Sequence, residues 1–195
     1  MKTPNRFVIS VLVADRVGIL RDVASALTGQ GANIDGVSQT ILHGYFTVIL
    51  TVTMGRACSA EDIRQAMLAH FASNEASIIV RRFDASALRR PCVHGERYVV
   101  TLSGVDRKGI LKAATVHLAD KGVNIEDWYV HFDGPMVTHI GEVTVPSVLD
   151  IQQLQSDLQE CLREFGMTAS MQHENIFRVT NEVGAVQHLL AARHR

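Results

Sequence analysis

The sequence lacks the features that mark secreted and membrane-spanning proteins. Its three cysteines, Cys58, Cys92 and Cys161, form neither a CxxC pair nor an even set. This pattern indicates a reducing compartment and buried or incidental thiols rather than a disulfide framework. No apolar run approaches the roughly 18 residues of a membrane span, and the N-terminus has no signal-length run. We therefore expect a soluble, cytoplasmic protein with no membrane association.

An excess of charge and the common catalytic motifs are also missing. The chain has 19 basic and 20 acidic residues and a formal net charge of −1. No global field would therefore draw it to nucleic acid or anionic lipid, and direct nucleic-acid binding is disfavoured. The G-x-S-x-G, HExxH, P-loop and GxGxxG patterns are absent, so the sequence predicts no catalytic residue, no metal and no cofactor.

What the chain does contain is one stretch present twice. The pattern Asp-Arg-x-Gly-Ile-Leu followed by Gly-x-Asn-Ile occupies residues 15–34 and returns, without a gap, at residues 106–125. The two copies are offset by 91 residues (106 − 15 = 91). A length of 195 residues with 47% hydrophobic content suits two small domains. The repeat therefore predicts two copies of one folding unit.

Hydrophobic periodicity predicts the order β-α-β-β-α-β in each copy. In the first copy the expected strands cover residues 7–13, 33–40, 45–53 and 77–83, and the helices carry Leu20, Val23, Ala24 and Leu27, then Ile63, Ala66, Met67 and Phe71. In the second they cover 98–102, 125–132, 136–145 and 167–173, with helices starting near Ile110 and Ile151. The fold class is α+β, two ferredoxin-like domains whose antiparallel four-stranded sheets carry both helices on one face.

The same pattern predicts the domain boundaries. We expect a first domain at residues 1–83, a linker at 84–96, a second domain at 97–174 and a C-terminal extension at 175–195. Val183, Val186, Leu189 and Leu190 predict a short helix in the extension, which we expect to cover an interface.

The repeated pattern resembles the ACT domain, a small ligand-sensing module of amino-acid metabolism, over residues 6–83 and 97–174. With both copies present and no catalytic domain attached, the chain is similar to tandem-ACT proteins of the glycine cleavage system transcriptional repressor type. The family often has proline before the motif glycine, where this chain has Val17 and Lys108. Proline at a first helical position is a convenience rather than a requirement, so the resemblance stands.

The repeated stretch is also the predicted ligand site. A helix that starts directly after a strand presents unpaired N–H groups and its positive dipole end, which suit the carboxylate of an amino acid. Asparagine at the start of the next strand offers an acceptor for the ammonium group, supplied by an adjoining domain. The resemblance implies the same arrangement, in which domains pair side by side, and favours a homodimer. The candidate ligand-binding residues are Asp15, Arg16, Val17, Gly18, Ile19, Asn33, Ile34, Asp106, Arg107, Lys108, Gly109, Ile110, Asn124 and Ile125.

Each of these residue types also has a purely structural interpretation. An aspartate near a helix start serves as a cap, a glycine permits a tight turn, an asparagine bonds its own turn, and an arginine pairs with an acid. These interpretations stay open for Asp15 and Asp106, Gly18 and Gly109, Asn33 and Asn124, and Arg16 and Arg107.

The two copies differ at positions where the first has an apolar side chain and the second has a polar side chain or a glycine. Val48 corresponds to His139 and Leu50 to Gly141, so the second core must be built differently. Convergence of His131, Asp133 and His139 on a metal is a weak alternative to one hydrogen-bonded core histidine. The aromatic pair Trp128 and Tyr129 is more typical of a core or an interface than of a base-stacking platform.

We therefore predict a regulatory protein that binds an amino-acid effector and acts through a protein partner. Two alternatives remain open at this point. One is a transcriptional repressor that binds DNA directly. The other is a small acylphosphatase-like hydrolase, because that enzyme has the same topology and an arginine in the first loop, where this chain has Arg16.

Overall fold

The computed structural model describes residues 5–86 and 94–181. The chain divides into two compact units, residues 1–89 and 90–195. Most of the predicted linker, and all four apolar residues of the predicted C-terminal helix, lie outside the described residues. The domain boundaries at 83, 96 and 174 thus stay predictions.

Each unit contains the predicted alternation of strands and helices. The first unit comprises β1 (Arg6–Ala14), α1 (Ile19–Gly29), β2 (Ala32–Leu42), β3 (Tyr45–Met54), α2 (Ala60–Leu68) and β4 (Ala76–Arg82). The second comprises β5 (Gly95–Val105), α3 (Ile110–Asp120), β6 (Asn124–Asp133), β7 (Met136–Pro146), α4 (Ile151–Leu162), β8 (Thr168–His173) and a further helix, α5 (Glu174–Asn181). No described helix is both long and apolar enough to cross a bilayer.

The two sheets have the same topology and the same register. Their strand orders are β2-β3-β1-β4 and β6-β7-β5-β8, and all neighbours are antiparallel. Phe7 pairs with Val52, and Tyr98 pairs with Val143, so both partners are shifted by 91 residues. The predicted fold class, two ferredoxin-like units in tandem, is confirmed.

The buried faces follow the predicted periodicity except at the helix starts. In β3, every second residue is buried, as in a strand with one face on the core: Phe46, Val48, Leu50 and Val52. The placement of Leu20 on the buried face of α1 is wrong, because that side chain is 41% exposed.

The physical reason for this error is the first residue of each helix. Ile19 and Ile110 begin α1 and α3 and are fully buried, so they take the core position that the periodicity assigned one residue later. The next residue lies about 100° around the helix and points away from the sheet. Leu111 is accordingly 45% exposed, and Ala24 is only half-buried.

The strand β5 is longer than predicted because pairing continues past its apolar centre. Its partner β7 matches it from Gly95, opposite Pro146, to Val105, opposite Met136. Polar and glycine residues at both ends hide this length from a hydrophobicity pattern.

The divergence between the two cores has a direct steric explanation. Trp128 and Gly141 are paired residues on neighbouring strands. A Cβ at position 141 would lie 2.4 Å from the Trp128 ring. In the first unit the same pair is Val37 and Leu50, with Leu50 buried and Val37 53% exposed. The indole of the second unit thus fills the space that a leucine side chain fills in the first.

We predict that Gly141→Ala destabilises the second unit by about 1–3 kcal/mol, because the added methyl group overpacks against the indole. In a Trp128→Val background the same change should be tolerated. Thermal denaturation of the four variants of this cycle measures the coupling. Equal destabilisation in both backgrounds would contradict the steric explanation.

Candidate functional site

The loop that precedes each first helix is fastened to the neighbouring hairpin. The backbone N–H of Asp15 donates to the carbonyl of Gly44 at 2.7 Å, in the turn between β2 and β3. In the second unit Asp106 donates to the carbonyl of Pro135 at 3.0 Å. Both loops are therefore held at the end of the sheet where β1 and β5 finish.

A left-handed glycine forms the start of both of these helices. Gly18 (φ 95°) and Gly109 (φ 100°) are the N-cap residues of α1 and α3, and no side chain caps either helix. The other sheet-packed helices do have side-chain caps: Ser59 and Asp62 form a capping box at α2, and Asp150 caps α4. Among the residues that the structure describes, the first-turn N–H groups of α1 and α3 therefore have no side-chain partner.

The capping interpretation of Asp15 and Asp106 is wrong. Each helix starts four residues later than its aspartate, and a glycine without a side chain occupies the cap position. The tight-turn interpretation of both glycines is confirmed, because a positive φ is easily adopted only without a Cβ.

The remaining predicted residues of these loops point in opposite directions. Val17 is fully exposed, and Lys108 is exposed as well. The side chains of Ile19 and Ile110 are buried in the two cores. The side chains of the two isoleucines are therefore core residues, and only their backbone atoms belong to the helix starts.

In the first unit the charges of the loop are paired with one another. Arg16 donates to Glu75 at 2.8 Å and to Asp22 at 2.9 Å, and Arg21 also bonds Asp22. The hydrogen bonds from Arg21 and Arg16 lower the pKa of Asp22. The prediction that arginine pairs with a nearby acid is confirmed for Arg16.

In the second unit the two acids are missing. The positions that correspond to Asp22 and Glu75 hold Ala113 and Gly166. Arg107 makes one long hydrogen bond, 3.5 Å, to the carbonyl oxygen of Glu164. Its neighbours Lys108 and Lys112 form no ion pair with any residue in the described ranges.

Lys108 and Lys112 line a shallow pocket with a volume of about 440 Å³. The other lining residues include Gly109, Val116, Phe165 and one acid, Asp120. The start of α3 therefore combines uncapped N–H groups, two lysines and a concave surface, which favour an anion at this end of the pocket, whereas Asp120 lies at the other end of α3.

The second half of each repeat contains a polar cluster on the helix-free face. Asn33 donates from Nδ2 to Asp35 at 2.7 Å, and Thr53 donates to the other oxygen of Asp35 at 2.6 Å. In the second unit Asn124 and Thr144 both donate to Glu126, at 2.7 and 2.8 Å. Both asparagines thus form local hydrogen bonds, but the partner is a carboxylate two residues later in the same strand and not a turn.

The sequence analysis missed the acid and the threonine of this cluster. A signal was present, since Asp35 and Glu126, like Thr53 and Thr144, are separated by the repeat offset of 91. The exchange of aspartate for glutamate obscured it. The predicted ligand residues Ile34 and Ile125 are half-buried, and their side chains pack against the cores.

Neither unit brings its own loop and its own asparagine together. β1 and β2 both run antiparallel to β3 and thus parallel to each other. Asn33 shares a row of the sheet with Arg6 at the start of β1, while the loop follows Ala14 at its end. Eight residue steps along a strand amount to roughly 26 Å. A site that uses both groups therefore requires two units.

The metal interpretation of His131, Asp133 and His139 is wrong. His139 is 5% exposed and faces the core, whereas His131 and Asp133 are exposed on the other face of the sheet. No group of three His, Cys, Asp or Glu residues within the described ranges is placed to hold a metal. His139 is instead a core histidine, whose Nδ1 accepts a hydrogen bond from Trp128 Nε1 at 3.2 Å.

Comparison with protein families and curated proteins identifies related sequences for both units. Models of the ACT domain match residues 7–57 and 96–172. A UPF0237 protein of Corynebacterium diphtheriae is 50% identical over 56 residues, which are 29% of this chain and 61% of that protein. A UPF0237 protein of Methanosarcina mazei is 42% identical over 48 residues, which are 25% of this chain and 52% of that protein. The chain thus spans about half to three fifths of these relatives. A third UPF0237 protein, from Methanococcus maripaludis, is 32% identical over 89 residues. The match covers 45% of this chain and 99% of that protein.

Solved structures share the tandem architecture. A protein of unknown function from Galdieria sulphuraria superimposes with a TM-score of 0.71 at 26% identity, over 88% of this chain and 99% of that one. A protein proposed to be a glycine cleavage system transcriptional repressor superimposes with a TM-score of 0.64, over 86% of this chain and 95% of that one. Its identity of 16% establishes a common fold alone.

The buried histidine predicts how stability depends on pH. Because Nδ1 of His139 accepts from Trp128, the proton of the neutral ring lies on Nε2, which is buried and has no hydrogen-bond partner within residues 5–86 and 94–181. Burial lowers the pKa of His139, with a smaller opposing effect from Asp106. The neutral ring is favoured in the folded state, so its contribution is complete above about pH 6.5 and is lost as the pH falls.

We predict that His139→Gln reduces the drop in thermal midpoint between pH 7.5 and 5.5. Glutamine still offers Trp128 an acceptor but does not titrate. One such group accounts for at most about 1.4 kcal/mol per pH unit. Burial also lowers the pKa of His117, so part of the dependence should remain. His131→Gln, at an exposed position, is the matched control; an equal drop in wild type and His139→Gln would refute this role.

Proposed function

We propose that this chain, which belongs to the ACT-domain family and carries two copies of the domain in tandem, is a regulatory protein that senses an amino acid. The effector binds between the helix start of one ACT domain and the first residues of the second strand of a neighbouring domain. Binding then alters a surface that contacts a protein partner in amino-acid metabolism. We propose that the protein acts without catalysis, in the cytoplasm and as a homodimer.

The contrast between capped and uncapped helices carries this proposal. Caps at α2 and α4 satisfy first-turn N–H groups with the chain's own side chains. The glycine starts of α1 and α3 leave them open on exposed loops, in both copies. A free carboxylate is the group that such a helix end stabilises, by about 0.3–1 kcal/mol through the dipole and further through the hydrogen bonds.

The distance between the two half-sites supports a neighbouring domain as the second contributor. Asn33 and Asn124 start their strands at the sheet end opposite the loops. An amino acid places its carboxylate and ammonium groups only a few ångströms apart, so one unit cannot reach both. Pairing of two ACT domains makes the site complete and links occupancy to the arrangement of the domains.

The charges of the two loops support a preference for the second copy. In the first unit, the guanidinium of Arg16 already forms ion pairs with Asp22 and Glu75. In the second unit, Arg107 and Lys108 of the loop and Lys112 in the first turn of α3 lack such partners among the described residues. We therefore assign the stronger carboxylate-binding half-site to the start of α3.

The same pairing of Arg16 weighs against phosphate binding by the first loop. A guanidinium that donates to two carboxylates is surrounded by negative charge, which repels an acyl phosphate. Regulation instead requires only that the effector bind one domain arrangement more tightly than another. The shift in that equilibrium is limited to the ratio of the two affinities.

We predict that at least one of the twenty amino acids raises the thermal midpoint of the full chain. A ligand at about 100 times its Kd adds about 2.7 kcal/mol, equivalent to several degrees for a protein of this size. A thermal-shift screen followed by equilibrium dialysis measures the effect. If no amino acid moves the midpoint or is retained in dialysis, the sensing function is refuted.

We further predict that Ala113→Asp weakens binding of the amino acid found in that screen. The change introduces the carboxylate that the first copy carries as Asp22, which should pair with Arg107 and repel the effector's carboxylate. We expect roughly a tenfold rise in Kd, equivalent to about 1.4 kcal/mol. The reciprocal Asp22→Ala is the matched control and should not weaken binding. An unchanged Kd in Ala113→Asp, with the fold intact, would remove the second loop from the site.

A further inference from the structure

A row of polar residues crosses three strands of each sheet. In the first unit Arg6, Thr53 and Asn33 are paired in register on β1, β3 and β2. In the second, Arg97, Thr144 and Asn124 occupy the same row. The row lies on the helix-free face, because the next residues along, such as Phe7 and Val52, are buried beneath the helices.

A strand irregularity adds an acid to each row. The pairing of β2 with β3 shifts register between Ile34 and Gly36, and that of β6 with β7 shifts between Ile125 and Asp127. The residues at these two irregularities are Asp35 and Glu126. A bulge redirects a side chain from its regular position, and here both carboxylates reach the asparagine two residues earlier.

The ionised carboxylate determines which way the amide points. Hydrogen bonds from Thr53 and Asn33 lower the pKa of Asp35, and those from Asn124 and Thr144 lower the pKa of Glu126. Arg6 lies 3.4 Å from Asp35 and favours the same charge state. A carboxylate can only accept hydrogen bonds, so the NH₂ group of the amide must face it.

The other end of each amide is then an available acceptor. Asn33 and Asn124 are exposed, and Oδ1 of each accepts no hydrogen bond from the described side chains. The hydroxyl groups of Thr53 and Thr144 already donate hydrogen bonds to the two acids. Both copies thus present a carbonyl oxygen, rather than an NH₂ group, away from the carboxylate.

Resting on the proposed function, we infer that Asp35 and Glu126 are positioning residues that fix Oδ1 of Asn33 and of Asn124 as the acceptor for an amino acid's ammonium group. Neither acid needs to touch the effector. Their role is selective, because a reversed amide would direct N–H donors at a cation that has only donors of its own. The pair therefore distinguishes an amino acid from a carboxylic acid that lacks the amino group.

The test compares the wild-type chain with the double variant Asp35→Asn/Glu126→Gln. A neutral carboxamide can donate as well as accept, so it no longer dictates the amide orientation. The probes are the twenty amino acids, each beside the matching acid without the amino group, for example glycine with acetate and alanine with propionate. We expect the ratio of the two Kd values to fall about tenfold in the double variant, while the Kd of the deaminated acid stays unchanged.

The matched control exchanges the two acids, Asp35→Glu and Glu126→Asp, since each copy already uses one of them. This variant retains an ionised acceptor and should keep the wild-type ratio. An unchanged ratio in the neutral variant, or equal weakening for both probes, would overturn the positioning role and leave the sensing function standing. Failure of wild type to bind any amino acid would refute the proposed function and this inference with it.

Discussion

In each unit the first and second strands run in the same direction, and this constraint governs where a ligand can bind. The uncapped helix start follows the end of β1, whereas Asn33 stands at the beginning of β2, at the opposite end of the sheet. An interaction that needs both groups is impossible within one unit. Under the proposed function a neighbouring ACT domain supplies the missing half, so binding becomes sensitive to how domains associate.

The two copies share a backbone register but differ in chemistry. A constant offset relates their strand pairs, yet a buried tryptophan against a glycine replaces the valine–leucine pair. At the helix starts, an internally neutralised loop in the first copy corresponds to a cationic loop in the second. Under the proposed function these differences make the two half-sites unequal, and the second copy binds the effector's carboxylate more strongly.

Much of the fold was predictable because the hydrophobic period and the turn residues of a segment determine its secondary structure locally. The order of strands and helices, the hairpin at His43 and Gly44 and the buried face of β3 follow from such patterns. Leu20 was misplaced because burial of Ile19 depends on the angle at which the helix leaves its loop. Nothing in a linear pattern indicates that angle.

The candidate site was predictable only in part, for a related reason. The repeated glycines and asparagines were visible as a motif, whereas the carboxylates that accept hydrogen bonds from Asn33 and Arg16 were not. Asp35 reaches its asparagine through a bulge, and Glu75 reaches Arg16 from 59 residues away in sequence. The aspartates of the motif resembled caps because the left-handed conformation of Gly18 is a property of the folded loop.

In the proposed function one amino acid bridges two ACT domains. A crystal structure of the full chain with the amino acid that stabilises it most tests this directly. We expect its carboxylate to accept from the first-turn N–H groups at the start of α3, and its ammonium group to donate to an asparagine Oδ1 of a different domain. An effector held entirely within one domain, or far from both groups, would contradict it.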